Sequence, residues 1–592
     1  MGVPGFFQFL LKQYKKYGFV INKDKLQQIC DQILLDEINN MDYFLIDANC
    51  LIHPVCFKVI AENPDSSDND NLENKMMNAV LDYMDKIISY VNPKLAVYIA
   101  IDGVAPVAKI KQQRSRRFKS VADKMMWDRI KKKHNKPIHA HWNNNAITPG
   151  TEFMVKLNNK ICEWAKTYKF PIIYSSCFTP AEGEHKLLQF IREKNENNSY
   201  LIYGLDADLI HLALSTNSEK IFLLREANEI NRNESKEVLN YISIKIMRAC
   251  IVNTMKEYLD KEVLNYNTLN NMNNNKLAGF QLDNNSIIND FIFMCYFLGN
   301  DFLPHIPSLD IHNGGIEYLI INYAKTMHQY IIENNTLEYI VDIKNMQINN
   351  KFLNEFLNKL ASNEMKILSD NYNKPKRRMM CDGDLYEKEV FKIDNLQFKV
   401  EDPIMLGNGE LSEYRLRYYS YYWGVEPDEV EEFSKKLVAN YMVGIKWVTM
   451  YYFDKCPSWS WYYPFEHPPF ISDIAKYNIN LNKVKFDVGK PILPFMQLLA
   501  VLPPQSSFLI PNNLRKLMLD SRSSLAYAYP TDFSQDFINK HKHWMGIPNL
   551  PPLDLELLKH SYYKYQDELS KLELERNEIK DIIIFNYNGY KK

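Results

Sequence analysis

Along the first 230 residues, short apolar runs alternate with longer stretches whose apolar positions recur every three or four residues. The runs at 43–46, 95–101, 171–174, 200–204 and 221–224 have the length and content of buried strands. The stretches 76–91 and 184–194 read as helices between them. Strands alternating with helices predict an α/β fold, with a largely parallel central sheet and helices on both faces. Ligands on such sheets collect at the carboxyl ends of strands. Asp47 closes the first run, Asp102 the second and Asp206 the fourth.

Beyond this alternation the pattern changes. Residues 118–145 read as a protruding helical arm, basic at Lys131, Lys132 and Lys133. Residues 265–275 are Asn-rich and aperiodic, which predicts a surface loop. A polar, basic stretch at 371–384 divides the chain again. Aromatic segments follow, around Tyr418, Trp423, Trp447 and Phe453. No internal repeat is visible.

Composition narrows the classes. With 592 residues, 46% of them hydrophobic, the chain can bury a large core. The 71 basic and 72 acidic residues nearly cancel, so any nucleic-acid footprint must come from local clustering. The nine cysteines form no CxxC pair, which argues against a disulfide framework or a zinc site and for a reducing compartment. The N-terminus has no signal-peptide pattern, and Phe6 stands where myristoylation needs Ser or Thr. No apolar run reaches the roughly 18–20 residues of a membrane span, so a soluble protein is expected.

Candidate chemistry begins with carboxylates. Glu182 and Glu184 open a helix after Thr179-Pro180. Asp208 follows Asp206 by two, and Asp301 follows an apolar run and Gly299-Asn300. With Asp47 and Asp102 that makes seven acids, each where an apolar element stops. Carboxylates gathered together repel and shift their pKa values upward. Hard divalent cations relieve the repulsion. Two such ions clamp a scissile phosphate. The set, without Cys or His ligands, fits two magnesium ions, for which manganese could substitute. Taken singly, each Asp is more often a cap or loop residue, and Thr179-x-x-Glu182 also reads as a capping box. The set carries the argument.

Next to Asp102 the chain reads AKIKQQRSRRFKS from Ala108. On a helix Lys109, Gln113, Arg116 and Arg117 share one face. Alone, such a face is usually solvated surface. Beside a metal site it suits a phosphate terminus, with Arg as a fork and Lys as a point charge. His53, six residues after Asp47, could stack on a base. Trp459 and Trp461 in PSWSW offer further rings, although tryptophans in such segments are more often core.

These segments together resemble the Xrn-type 5′→3′ exoribonucleases. The match runs through MGVPGFF at the N-terminus, DANCLIHP from Asp47 and AIDGVAPVAKIKQQRSRRF from Ala100. It continues through ITPGTEFM from Ile147, EGEHKLLQFIR from Glu182, YGLDADLIHLAL from Tyr203 and DFIFMCYFLGNDFLPHIPSL from Asp290. In the second half it takes in WVTMYYFDKCPSWSWYYPFEHPPFISD from Trp447 and a YPTDF…HWMG pattern from Tyr529. The resemblance implies a PIN/FEN-like nuclease core over 1–365 with the arm at about 118–145. It also implies a linker at 366–390 and a second, mostly helical region over 391–592 packed around the core.

The resemblance also implies roles. Asp47, Asp102, Glu182, Glu184, Asp206, Asp208 and Asp301 match the catalytic, metal-binding acids. Lys109, Gln113, Arg116 and Arg117 match the pocket for a 5′-monophosphate, too tight for a cap or triphosphate. His53 matches a residue that stacks on the first base. One tryptophan of PSWSW, Trp461 or else Trp459, matches a second stacking ring, with Trp461 the first choice. Pro106 matches a residue at the duplex-blocking entrance. Two departures stand out: the family usually has Gly where Ala181 stands, and Met-Asn-Gly where Ala48-Asn49-Cys50 stands.

The implied activity is processive, magnesium-dependent hydrolysis of single-stranded RNA with a 5′-monophosphate to nucleoside 5′-monophosphates. A monomer is expected, cytoplasmic or alternatively nuclear, with an Asn/Lys/Ile bias that would suit a viral or protist source. A flap-endonuclease-type DNA nuclease shares the carboxylate core but normally lacks the 447–546 block and the QQRSRRF segment. A non-catalytic RNA-binding protein would predict lost acids, and all seven are present.

Overall fold

The computed structural model describes residues 5–585 apart from positions 30, 65, 67, 139–141, 195–196, 207, 217, 228–237, 270–279, 375–379 and 399. Among the described residues the first seven strands in chain order are β1 Val20–Asn22, β2 Tyr43–Asp47, β3 Ala96–Ala100, β4 Ile172–Ser175, β5 Tyr200–Tyr203, β6 Ile221–Glu226 and β7 Leu239–Ser243. A C-terminal strand, Ile583–Phe585, follows much later. Two compact units interleave along the chain. The first comprises Met1–Ile38, Leu188–Pro375 and Pro403–Gly489. The second comprises Asn39–Leu187, Lys376–Asp402 and Lys490–Lys592.

In the second unit β2, β3 and β4 run parallel, in the register Asp47↔Ala100 and Ala100↔Ser175. Phe44, Leu45 and Ile46 are all fully buried, as expected of strands covered on both faces. The C-terminal strand pairs antiparallel with β4, Ile583 opposite Tyr174. In the first unit β5 and β6 are parallel, β7 is antiparallel to β6, and β1 is antiparallel to β7. The expected α/β class is there, with parallel central strands and antiparallel additions that the apolar runs did not reveal.

Helix boundaries follow caps more than periodicity. The helix read over 76–91 is Asn69–Val91, because the Asp68 side chain accepts from Asn71 N at 3.0 Å and starts it earlier. Thr179 caps nothing: the helix starts at Gly183, and the Thr179 hydroxyl has no partner among the described residues, so the capping-box reading fails. Residues 265–269 of the expected Asn-rich loop belong to the helix Ile244–Leu269, and 270–275 lie outside the described residues.

The expected linker is largely helical where it is described. It contains the end of Glu364–Asn373 and the start of Leu385–Asp394. A capping box explains the second helix: Asp384 accepts from Glu387 N and Glu387 accepts from Asp384 N, both at 2.8 Å. The aromatic second region forms Leu411–Trp423 and Val430–Phe453, with Trp447 fully buried. No helix among the described residues is long and apolar enough to cross a membrane.

The basic segment and the arm are one helix, Val107–Lys133. Val104 and Ala105 just before it, and Ile110 and Phe118 within it, are buried in a core with Phe495, Leu498 and Leu499. Arg114 points away from the basic face and donates to the carbonyls of Ala500 and Ala528. Farther along, Lys119 donates to Gln535 Oε1 at 2.6 Å, and Trp127 packs edge-on to His543. Near the tip Lys133 and His134 meet Glu389, and Lys136 meets Asp384. The arm is thus tied down along its length by other parts of the second unit.

Candidate active site

The second unit gathers four of the seven acids at the carboxyl ends of β2 and β3 and at the start of the helix Gly183–Glu193. Asp47 is buried at the end of β2. Asp102 lies two residues past β3, and its carboxylate is held from two sides. Oδ1 accepts from Gly183 N at 2.7 Å, and Oδ2 accepts from Asn49 Nδ2 at 2.7 Å. The Cys50 thiol donates to Asp47 Oδ2 at 3.0 Å. Asn49 and Cys50 of the DANCLIHP motif, of which Cys50 is a departure from the family's Gly, therefore both touch carboxylates.

Gly183 is needed here for closeness rather than for backbone freedom. A Cβ at this position would stand 2.7 Å from Asp47 Oδ1 and 3.3 Å from Asp102 Oδ1. Only a residue without a side chain lets this helix start against the two strand ends. Glu182 and Glu184 flank Gly183, both buried. With His185 they place one possible ligand atom each within 4.8 Å of one another. His185 was not among the sequence candidates. It belongs with them here, so the set is not purely carboxylate. Oxygen donors still predominate, which fits a hard cation.

Cations balance the acids from inside. Lys186 is buried and donates to Ile101 O at 2.5 Å and Ser176 O at 2.9 Å, bridging the ends of two strands. Burial pushes its ammonium down to about 7, with Asp102 and Asp47 opposing. Lys109 was expected in the phosphate pocket. It is instead ion-paired with Glu182.

The other three expected pocket residues do converge. Gln113, Arg116 and Arg117 line a cavity of about 280 Å³ with Asn49, His53, Asp102, Gly103, Ser120, Asn144, Asn145, Ile147, Pro149 and Gln497. The helical spacing read from the sequence thus delivers three of its four residues to one place. Arg116 is exposed, and Arg117 is half-buried. The Arg117 guanidinium donates to Thr148 Oγ1 at 2.6 Å, and Thr148 donates to Asn145 O at 2.6 Å. Burial first, and Arg116 second, push Arg117 down to about 9, with Asp102 opposing, so it stays charged at neutral pH. Burial, then Arg116 and Arg117, push His53 down to about 4. Its ring faces the cavity as neutral imidazole. Pro106 is buried at the boundary where this helix begins.

The remaining candidates lie in the first unit. Asp206 follows β5, is half-buried, and its carbonyl accepts from Arg225 Nη2 at 2.7 Å. Asp208 is buried and opens the helix Asp208–Leu214. Behind it His211 stacks on Phe6 at 4.0 Å, so the GFF of the N-terminal motif supports the Asp208 helix. Asp301 is buried just after Gly299, whose φ of 86° turns the chain out of the Asn284–Cys295 helix and its 3₁₀ extension. Trp461 is half-buried and stacked on Trp447 at 5.3 Å, and Trp459 is half-buried, its backbone N–H donating to Val488 O.

Sequence reasoning missed His185, Ser120, Asn144, Asn145 and Gln497. His185 carried a signal, its position inside EGEHK. Gln497 carried another: it is the one polar residue in the helix Pro494–Val501, whose eight residues are all buried.

Comparison with known proteins follows the same lines. Residues 1–227 match the family described as XRN 5′-3′ exonuclease N-terminus. Residues 280–399 and 385–592 match the Xrn1 helical domain. The chain is 29% identical to the 5′-3′ exoribonuclease 2 of Debaryomyces hansenii, over 100% of this chain and 72% of that protein. It is 30% identical to human 5′-3′ exoribonuclease 1, over 99% of this chain but only 35% of the human protein. It is 27% identical to the Drosophila melanogaster 5′-3′ exoribonuclease 2 homolog, over 100% of this chain and 74% of that protein.

Proposed function

The chain belongs to the XRN family and is a 5′→3′ exoribonuclease, and from that premise we propose that it degrades single-stranded RNA bearing a 5′-monophosphate, processively, to nucleoside 5′-monophosphates. The observation that carries the reading is the cavity itself. It sets Arg116, Arg117 and Gln113 beside Asp102, so a phosphate seated on the guanidinium groups sits next to the acidic cluster.

The residues divide the work. Arg116 and Arg117 bind the terminal phosphate by charge and by forked N–H groups. The neutral His53 ring in the same cavity stacks on the first base. Asp47, Asp102, Glu182 and Glu184 would hold divalent cations, with His185 as a further ligand. The Gly183 cradle fits this role, since it brings Asp47 and Asp102 to one backbone position. Asp206, Asp208 and Asp301 take the same role on the strength of their motifs, and Trp461 that of a second stacking ring. Two magnesium ions, when bound, would supply a water of lowered pKa and stabilise the leaving oxygen. Each cut leaves a new 5′-phosphate, the group the cavity selects, so the product end is again a substrate.

The test uses one 3′-labelled RNA with a 5′-monophosphate, 5′-triphosphate or 5′-hydroxyl, with magnesium. An Asp206→Ala/Asp208→Ala variant serves as control. Loss of the monophosphorylated RNA alone, with mononucleotide release and an inert control, is the expected result. Equal cutting of all three ends, or internal cuts, would overturn the assignment of the cavity.

A further inference from the structure

We infer that Gln497, contributed by the second conserved region, is a substrate-contacting donor in the cavity: its amide NH₂ hydrogen-bonds the terminal phosphate of the RNA. The inference rests on the reading that this cavity takes a 5′-phosphate.

Gln497 sits in Pro494–Val501, among Phe495, Met496 and Leu498, and is 1% exposed. A polar side chain in such a helix is costly unless its groups are bonded. Half of the amide is accounted for: Oε1 accepts from Ala105 N at 2.9 Å. That bond also fixes which end is which. A backbone N–H can only donate, so the atom facing it must be oxygen. The NH₂ must therefore point the other way. It meets no protein acceptor among the described residues, and Gln497 lines the cavity with Gln113, Arg116 and Arg117.

Acceptors are present in the lining, at Asp102 and at the Gln113 Oε1, which is buried without a partner among the described residues, but Arg116, Arg117 and the Gln497 NH₂ offer donors alone. The two guanidinium groups can only donate, and so can the Gln497 NH₂. A group that satisfies all of them at once must be rich in acceptors and anionic, which describes a phosphate. Asp102 forms part of the same cavity, so a phosphate on these donors lies beside the acids. Gln497 thereby links the second region directly to end recognition. Sequence spacing in the first region could not show this.

A structural alternative is specific and separable. Gln497 could serve only to hold Ala105 N–H near the start of the basic helix. Gln497→Glu keeps the shape and the acceptor for Ala105, but replaces the donor with a carboxylate that repels phosphate. Gln497→Met keeps the volume, suits the apolar helix and removes both functions. Each full-length variant would be assayed with the same RNA carrying a 5′-monophosphate or a 5′-hydroxyl, and its melting temperature measured.

The kcat/KM for the monophosphorylated RNA is expected to fall about 10-fold or more in Gln497→Glu, mainly through KM. The rate on the 5′-hydroxyl RNA should change less than twofold. Gln497→Met should lose less than Gln497→Glu, with the same bias toward the phosphorylated end. A Gln497→Glu enzyme with the wild-type ratio between the two ends would overturn the inference. So would equal losses on both RNAs in both variants, which would mark Gln497 as a helix support alone. If the wild-type enzyme itself shows no preference for the 5′-phosphate, the reading of the cavity fails before Gln497 is reached.

Discussion

Arg415 in the first unit and the Arg116–Arg117 pair in the second use the same side chain in opposite ways. Arg415 donates to both oxygens of Asp473, to Glu431 Oε1 at 2.8 Å and to Ser434 Oγ at 2.9 Å. The Tyr419 hydroxyl closes the knot on Asp473. Every charge there is answered by another protein group. Arg117 is anchored on one side by Thr148, while its helix neighbour Arg116 is exposed and both line an open cavity. Asp102 in the same cavity answers part of that positive charge, but neither guanidinium is ion-paired as Arg415 is. The difference separates two purposes. A buried charge whose partners are all internal holds the fold together. One whose partners stop short leaves capacity for a ligand.

The sharpest way to break this contrast is at Arg415. Arg415→Met leaves Asp473, 3% exposed, without its cation. Uncompensated burial of that kind costs about 3–5 kcal/mol. Urea denaturation should show the loss, while kcat per folded molecule stays near wild type. Replacing both partners, Arg415→Met with Asp473→Leu, should recover most of it. A single variant of wild-type stability would mean that the knot is ornamental and the contrast false.

The next test belongs to the other side. Gly183→Ala forces a methyl group against Asp47 Oδ1, where the gap is 2.7 Å. Displacing a catalytic group by about 1 Å can lower the rate by about 10²-fold. The expected phenotype inverts that of Arg415: kcat collapses, and the melting temperature moves by only a few degrees. Should kcat survive, Asp47 and Asp102 are not working as a pair.

Between these sits the anchor of Arg117. Thr148→Val removes the oxygen that accepts from its guanidinium at 2.6 Å. The KM for 5′-phosphorylated RNA should rise about 10-fold, since hydrogen bonds to charged groups are worth more than neutral ones. Thr148→Ser should restore it. A change in kcat on 5′-hydroxyl RNA, with KM unmoved, would place Thr148 elsewhere in the reaction.

Legibility tracked distance along the chain. Asp47 and Asp102 could be found because each ends a run of apolar residues, and strand length fixes where the run must stop. The basic face of Val107–Lys133 followed from helical period alone. What spacing cannot carry is anything joined by tertiary contact. The strand Ile583–Phe585 finds its partner β4 some four hundred residues earlier, and its own run is too short to stand out. Lys109 has the right period for the cavity, but Glu182 takes its ammonium. Gln497 reaches the cavity from the far end of the sequence. The helix that begins inside the expected linker went unread for a local reason: the Asp384–Glu387 box signals a helix that charge and polarity concealed.

The smallest effect is a gain, and it tests how much of the site is strained rather than merely charged. Ala181 has a φ of 95°, a conformation that suits glycine. The chain accepts it because both sides of the residue are held: Ala181 N donates to Val104 O, and Gly103 N donates to Ala181 O, each at 2.9 Å. Those bonds aim Glu182, the next residue, at the acidic cluster. A left-handed non-glycine residue costs about 1–2 kcal/mol. Ala181→Gly should relieve that, offset in part by the greater freedom of glycine in the unfolded chain. The net gain should be about 0.5–1 kcal/mol, read as a small rise in the denaturation midpoint, with kcat unchanged. If stability instead falls, the methyl group is packing against something that outweighs the strain. If kcat falls while stability rises, the strain itself helps to hold Glu182 in place, and the line drawn here between fold-keeping and ligand-facing groups would pass through Ala181 rather than around it.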